Sequence, residues 1–259
     1  MKIAVCIKQV PDTETRIRVA PEGKGIAEND VNWVVSPYDE YAIEEALRLR
    51  EKKGAGEVVL LTVGPDRAAS ALRNGLAMGA DSALHLKDPL FEATDAAGVA
   101  RALAAALAPL APDLVLTGHL GVGGDHAQVP GLLAEMLDLP QVTMAVKVEL
   151  ADGKATVERE IEGAHEVWET SLPAVLSAQK GLNEPRYASL KGIMAAKKKT
   201  IEVKDAAALG LSAADLAPKT VVVALELPPA RPPVRLITGD ADAQAKELLR
   251  ALREEAKVL

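Results

Sequence analysis

The sequence predicts an α/β fold: a parallel sheet flanked by helices, then an antiparallel section and a C-terminal helical arm. Three observations carry this. Four apolar runs of strand length, "KIAVCI" (2–7), "EVVLLTVG" (57–64), "SALHLK" (82–87) and "DLVLTG" (113–118), are continuous rather than alternating, as strands buried on both faces are. Helical patterns separate them. From residue 141 the style changes to strands around Asp152-Gly153, a hairpin signal.

Each element has a local reason. "SPYDEYAIEEALRLREKKGAG" offers Ser36 as N-cap and Pro37 at the first helical position, with Asp39 and Glu40 in the first turn. Its buried stripe is Ala42, Ile43, Ala46, Leu47 and Leu49, and Gly54 ends it. "DRAASALRNGLAMGA" and "DAAGVARALAAALAPL" are the next helices, and another follows the glycines at 121–124 and ends near Asp138. After the hairpin, "HEVWETSL" and "AVLSAQ" read as further strands of the antiparallel section, and "TVVVALEL" (220–227) as one more strand. "PPARPPV" (228–234) continues neither sheet nor helix. A charged helix follows, Ala241 to Lys257, with Ala245, Leu248, Leu249 and Leu252 on one face, to dock on this chain or on a partner.

Composition limits the function. Of 259 residues 49% are apolar but only 2% aromatic, so an aliphatic core is expected. A net charge of −7 argues against a nucleic-acid protein. Cys6 is the single cysteine, so no internal disulfide is possible, which suits a reducing, cytoplasmic compartment. The N-terminal stretch lacks the features of a signal peptide, and no apolar run approaches the roughly 20 residues of a membrane span. Common catalytic and phosphate-loop motifs are missing, as is G-x-G-x-x-G. His85, His119, His126 and His165 are scattered and read as solvated or satisfied, and Cys6 as a small core residue.

"TGHLGVGGDHAQVPG" (117–131) is the candidate site. It follows a buried strand and leads into a helix, the place where open α/β sheets bind ligands. Gly121, Gly123 and Gly124 permit close backbone approach, and a helix start favours phosphate. An ordinary βα loop is the alternative. Asp125 is an awkward neighbour for phosphate and is expected to face a ribose hydroxyl or solvent.

Several segments resemble the β (small) subunit of electron transfer flavoprotein: "CIKQVPD", "SPYDEYAIEEALRLREK", "ALAMGAD", "DLVLTG", "VEREIEGAHEVWETSLPAVLSA" and, most specifically, "LNEPRYASLKGIMAAKKKTIEV". The resemblance implies a Rossmann-like parallel sheet of adenine-nucleotide-hydrolase type over 1–235, with a recognition loop at 182–199. It also implies a helical extension, 236–259, that packs on the partner subunit. The S-G-G-x-D-S phosphate loop of hydrolytic relatives is missing, so adenine binding without hydrolysis is expected. The family is heterodimeric. Its α subunit holds most of the FAD, and its β subunit commonly binds a structural AMP. It carries electrons from acyl-CoA and other dehydrogenases, in many organisms to a quinone oxidoreductase, and is a carrier rather than an enzyme.

By motif, the AMP contacts fall on Cys6, on Ser36, Pro37, Tyr38 and Asp39, and on Val63. They continue through Gly121, Val122, Gly123, Gly124, Asp125 and His126, then Ala127, Gln128, Val129, Pro130, Gly131 and Leu132. The loop departs from the usual Gln-Ala-x-Asp-x-Asp and leans toward electron-bifurcating relatives that carry a second FAD there. AMP is the preferred reading, the second FAD the alternative, and a stand-alone adenine-nucleotide module the rival from another class. In the recognition loop Leu190 takes the place of the leucine that anchors in the partner dehydrogenase, with Tyr187, Ile193 and Met194 around it, unless Leu190 packs back on its own domain. Lys197 to Lys199 are expected to add a salt-sensitive part to the encounter. Glu160, with Glu162 in reserve, takes the place of the acid that meets an arginine of the α subunit's FAD domain. A solvated strand-end glutamate is the alternative.

Overall fold

The strands β1 (Lys2–Cys6), β2 (Gln9–Pro11) and β3 (Trp33–Val35) lead into helix α1 (Pro37–Lys53), then β4 (Glu57–Val63), α2 (Ala69–Met78) and β5 (Ser82–Leu86). A short turn α3 (Pro89–Glu92) precedes α4 (Ala96–Leu107), β6 (Leu114–Gly118) and α5 (Val129–Leu137). The later part carries β7 (Gln141–Ala151), β8 (Lys154–Ile161), β9 (Ala164–Ser171), β10 (Ala174–Ala178), α6 (Leu190–Lys198), β11 (Ile201–Lys204) and α7 (Ala241–Arg250). These come from a computed structural model describing residues 1–259.

Nine strands form one sheet in the order β11-β5-β4-β1-β6-β10-β7-β8-β9. The first seven positions pair in parallel, and β8 and β9 are antiparallel. The continuous apolar runs are explained by helices on both faces. Ile3 and Val5 of β1 pack with Ile43, Leu47, Leu72 and Leu76 of α1 and α2. Ala4 and Cys6 pack with Leu103, Leu107 and Leu133 of α4 and α5. Alternate residues of one strand thus enter opposite layers. The expected stripe of α1 is buried, and Gly54 ends the helix in the left-handed conformation at φ 74°. Asp152 and Gly153 turn the β7–β8 hairpin with φ of 50° and 76°.

Three expectations change. "AVLSAQ" is not part of the antiparallel section. As β10 it inserts between β6 and β7, parallel to both, and all five of its residues are buried. "TVVVALEL" is no strand. It is exposed and without regular structure, with Leu225 N–H donating to Gly23 O at 2.7 Å. A β-branched run states a preference for extended backbone, but a ladder needs a free edge beside it. Third, Ser36 stands at the N-cap of α1 without a side-chain cap bond. It is fully buried, and its hydroxyl donates instead to Leu120 O at 3.4 Å.

The C-terminal helix is regular through Arg250 and closes with a wider turn over Ala251–Glu255. Ala245, Leu248 and Leu249 are exposed and Leu252 is half-buried, so most of its apolar face is left open by this chain. Arg235 of the preceding arm pairs with Glu247 and Glu255, which Arg250 of the helix also binds. No helix is long and apolar enough to cross a membrane.

Candidate functional site

A cleft of about 660 Å³ opens at the carboxyl ends of β1, β4 and β6, within the size range of small-ligand pockets. Cys6 and Lys8 enter from the end of β1, Val63 from β4, and Thr117 and Gly118 from β6. The loop after β6 supplies one wall through Leu120, Gly121 and the stretch Gly124 to Pro130, and the first turns of α4 supply another through Asp95, Val99 and Leu103.

Asp39 fixes the junction beneath. It is 5% exposed, and its two oxygens accept from Lys8 N–H at 2.6 Å and Gly118 N–H at 2.8 Å. These bonds tie the start of α1 to the ends of β1 and β6. Burial pushes its carboxyl up to about 7, although both N–H donors and the Lys8 ammonium pull the other way. A folded-state value above the ordinary 3.8 means that this group's stabilising contribution is complete at acid pH and lost as pH rises through about 7. Asp39→Asn removes that titration. The stability gap between wild type and variant should therefore narrow from pH 4 to pH 8, and a gap independent of pH would contradict the assignment. Burial also pushes the Cys6 thiol far above its ordinary range, as does the nearby Asp39 charge, so Cys6 is a wall residue and not a nucleophile.

The glycine loop is held by its own backbone. Gly124 and Asp125 N–H groups donate to Gly121 O, and Asp125 Oδ1 accepts from Gly123 N–H at 3.1 Å. The Asp125 carboxylate is thus partly spent inside the loop while lining the cleft. The Lys8 side chain lies over the loop: a Cβ on Gly121 would come within 2.6 Å of Lys8 Cδ and 3.1 Å of its Nζ. The two helix starts at the cleft differ. Asp95 Oδ1 already accepts from Ala97 and Gly98 N–H at α4, whereas α5 has no side-chain cap. An anion is therefore best placed between Lys8 and the start of α5. The sequence places Cys6 to Asp12 at this edge without singling out Lys8. Its signal was a lysine two residues beyond the last residue of β1.

The expected contacts divide. Cys6, Asp39, Val63, Gly121, and Gly124 through Pro130 line the cleft. Ser36, Pro37, Tyr38, Val122, Gly123, Gly131 and Leu132 do not. Ser36 braces Leu120, and Tyr38 packs edge-on against the His119 ring at 6.2 Å. Gly123 faces open space, so what requires glycine there is its φ of 91° rather than ligand approach. His85 is buried with Nε2 2.9 Å from Gly64 O, and His165 sits 2.7 Å from Glu158. No group of three or more His, Cys, Asp or Glu side chains is arranged to hold a metal ion.

The 182–199 segment forms a second feature. Asn183 donates to Tyr41 O and Glu45, and the Arg186 guanidinium bonds Glu44 and Glu51 of α1. Ser189 then caps α6 through Gly192 N–H. A Cβ on Gly192 would overlap Ala77 O of α2. At the far end Arg73 donates to the carbonyls of Ala196 and Lys199, and Lys199 Nζ donates to Ala80 O. Lys199 is thus a tether, leaving Lys197 and Lys198 as the exposed pair. On this fastened helix Leu190 is 84% exposed, and Tyr187, Ile193 and Met194 are exposed beside it. Leu190 does not pack back on its own domain. Across the sheet, Glu160 is the last residue but one of β8, opposite His165, and is exposed without an ion pair, and Glu162 is exposed in the β8–β9 turn.

Residues 24–209 match the family described as the electron transfer flavoprotein domain. The chain is 42% identical to the electron transfer flavoprotein subunit beta of Bacillus subtilis over 261 residues, covering 100% of both chains. Identity to the subunit of the same name from Syntrophomonas wolfei is 41%, over 100% of this chain and 98% of the relative. For that of Sus scrofa it is 40%, over 100% and 99%. The chain belongs to the electron transfer flavoprotein family, among its β subunits.

Proposed function

We propose that this chain pairs with an electron transfer flavoprotein α subunit, completes the FAD site held mainly there, and carries a structural AMP in the cleft between β1, β4 and β6. The family name makes flavin part of its chemistry, and a β subunit implies an α partner. A bound flavin takes up and releases the electrons; this chain supplies surfaces. Acyl-CoA and related dehydrogenases are the electron donors in this reading, a quinone oxidoreductase the acceptor, and the cytoplasm the location. Residues 1–235 act as the nucleotide-binding body, and 236–259 as an extension that packs on the α subunit.

The observation that carries the AMP reading is the polarity of the cleft. Lys8 and the uncapped start of α5 suit a phosphate, while Val63, Val99 and Leu103 suit a base. Cys6 and Asp39 are committed to the fold, which supports binding without turnover. Denaturing the purified heterodimer and weighing the released nucleotides tests this. One FAD and one AMP are expected. Two FAD and no AMP would replace AMP with a second flavin, and no adenine nucleotide beyond one FAD would end the reading.

Glu160 is proposed to meet an arginine of the α subunit's FAD domain; the support is its exposed, unpaired position at a strand end. Glu160→Ala should alter the domain orientation seen in solution scattering and slow electron transfer, with FAD retained. Surface pairs contribute only about 0–1 kcal/mol, so stability should not move. Scattering and rate both equal to wild type would transfer the role to another residue.

A further inference from the structure

The cleft has a wall that comes from far along the chain. Residues 205–220 cross the α4 side of the sheet, where Ala206 and Leu216 are buried and Leu216 O accepts from Thr94 Oγ1 at 2.7 Å. Asp95 then receives the chain. Its Oδ2 accepts from Lys219 N–H at 2.7 Å, Thr220 N–H at 3.0 Å and Thr220 Oγ1 at 3.3 Å. One carboxylate thus caps α4 with Oδ1 and holds the arm with Oδ2, and these bonds, that from Lys219 N–H foremost, lower its pKa from the ordinary carboxylate value. Directly after this latch, Val221 and Val222 line the cleft. Three residues on, Leu225 N–H is fixed to Gly23 O at 2.7 Å. Between the two fixed points the arm has neither strand nor helix to hold it.

The latch also sets the chemistry of the wall. Val99 and Leu103 lie four and eight residues beyond Asp95 on one face of α4, and both line the cleft. Thr220 is bound at the head of that face, and Val221 and Val222 line the same cleft as Val99 and Leu103. Yet Val221 is 74% exposed and Val222 58%. The charged features, Lys8 and the start of α5, are carried by other elements.

Resting on the AMP reading above, we infer that residues 219–222 are a strap across the nucleotide cleft, latched by Asp95, whose Val221 and Val222 cover the base of the bound nucleotide. They are binding residues in a segment that sequence patterns read as a strand. Because the strap leads into the arm and α7, the nucleotide cleft and the arm are mechanically continuous.

The test uses the full heterodimer, stripped of nucleotide and titrated with AMP and with adenosine. Val221→Ala combined with Val222→Ala should weaken both ligands by the same factor, about tenfold, since a partial loss of two apolar side chains is involved. Lys8→Ala should weaken AMP more than adenosine. Asp95→Ser keeps a helix cap but loses the second carboxylate oxygen, and should also weaken AMP and speed its release. Should Asp95→Ser lower the melting temperature of the stripped protein, the valine pair, which is exposed and outside the core, decides alone. Wild-type affinity in that double variant overturns the strap while leaving the AMP reading intact. A wild-type complex that binds neither AMP nor adenosine overturns both.

Discussion

Gly118→Ala is expected to lower the melting temperature by about 5–10 °C and to empty the nucleotide cleft. Gly118 ends β6 beneath the cleft, and its N–H donates to Asp39 Oδ1. A Cβ there would overlap that same oxygen and lie 2.8 Å from Tyr38 Cβ and 2.9 Å from Asp39 N. All three belong to the first turn of α1, and Tyr38 Cβ and Asp39 N move only with its backbone. The helix start must retreat from β6. That movement stretches both Asp39 bonds and displaces the Lys8 backbone, and with it the ammonium above the glycine loop. Overpacking of this kind costs about 1–3 kcal/mol, and a buried carboxyl losing a donor adds about 1–3 kcal/mol. In a domain of this size each kilocalorie shifts the transition by about 2 °C or slightly more. Thermal melts and nucleotide content of the purified heterodimer give the two readouts. Gly123→Ala serves as the comparison: nothing lies within 4 Å of its added Cβ, so only the left-handed φ resists, at about 1 kcal/mol. Equal melting temperatures for the two variants would show that Gly118 does not set the junction.

The same junction shows what a sequence can and cannot disclose. The parallel strands were legible because burial on both faces removes alternation, and "KIAVCI" or "DLVLTG" has no other economical reading. The glycine loop was legible because it follows such a strand and opens a helix. The segment Cys6 to Asp12 was legible as an edge of the site but the role of Lys8 was not, because a lone lysine after a strand is ordinary until its side chain is seen over Gly121. Asp95 was read only as a helix start, since its second oxygen serves residues 124 and 125 positions away. The position of β10 was equally hidden. Local pattern states that "AVLSA" is buried, but not that the chain leaves the sheet centre for β7–β9 and returns to a gap it left open. The exposed run at 220–227 failed for the opposite reason: its composition is that of a strand, but its backbone is held by Asp95 at one end and Gly23 at the other and joins no ladder.

Leu190→Ala should slow flavin reduction by a partner dehydrogenase by about ten- to a hundredfold and leave the melting curve unchanged. The argument begins with what holds α6. Arg186 binds Glu44 and Glu51, Gly192 lets the helix backbone reach α2, and Arg73 gathers its last carbonyls. None of these uses Leu190, which is 84% exposed; truncating it removes no intramolecular contact of consequence. Burying a leucine on docking is worth about 1.5–3 kcal/mol, or one to two decades of affinity. The effect is concentrated there because the helix is already ordered, so little entropy is lost on binding. Gly192→Val provides the contrasting case. Its side chain would meet Ala77 O and lift the helix from α2, moving Leu190 without altering it. That variant should lose docking rate and also helix anchorage, visible as faster amide exchange across 186–199. Lys197 and Lys198 add a salt-dependent share of the encounter if the partner rim is acidic, whereas Lys199, tethered to Ala80 O, should add stability rather than rate. A Leu190→Ala protein that melts early but docks normally would reverse the assignment and make Leu190 a structural residue of this domain.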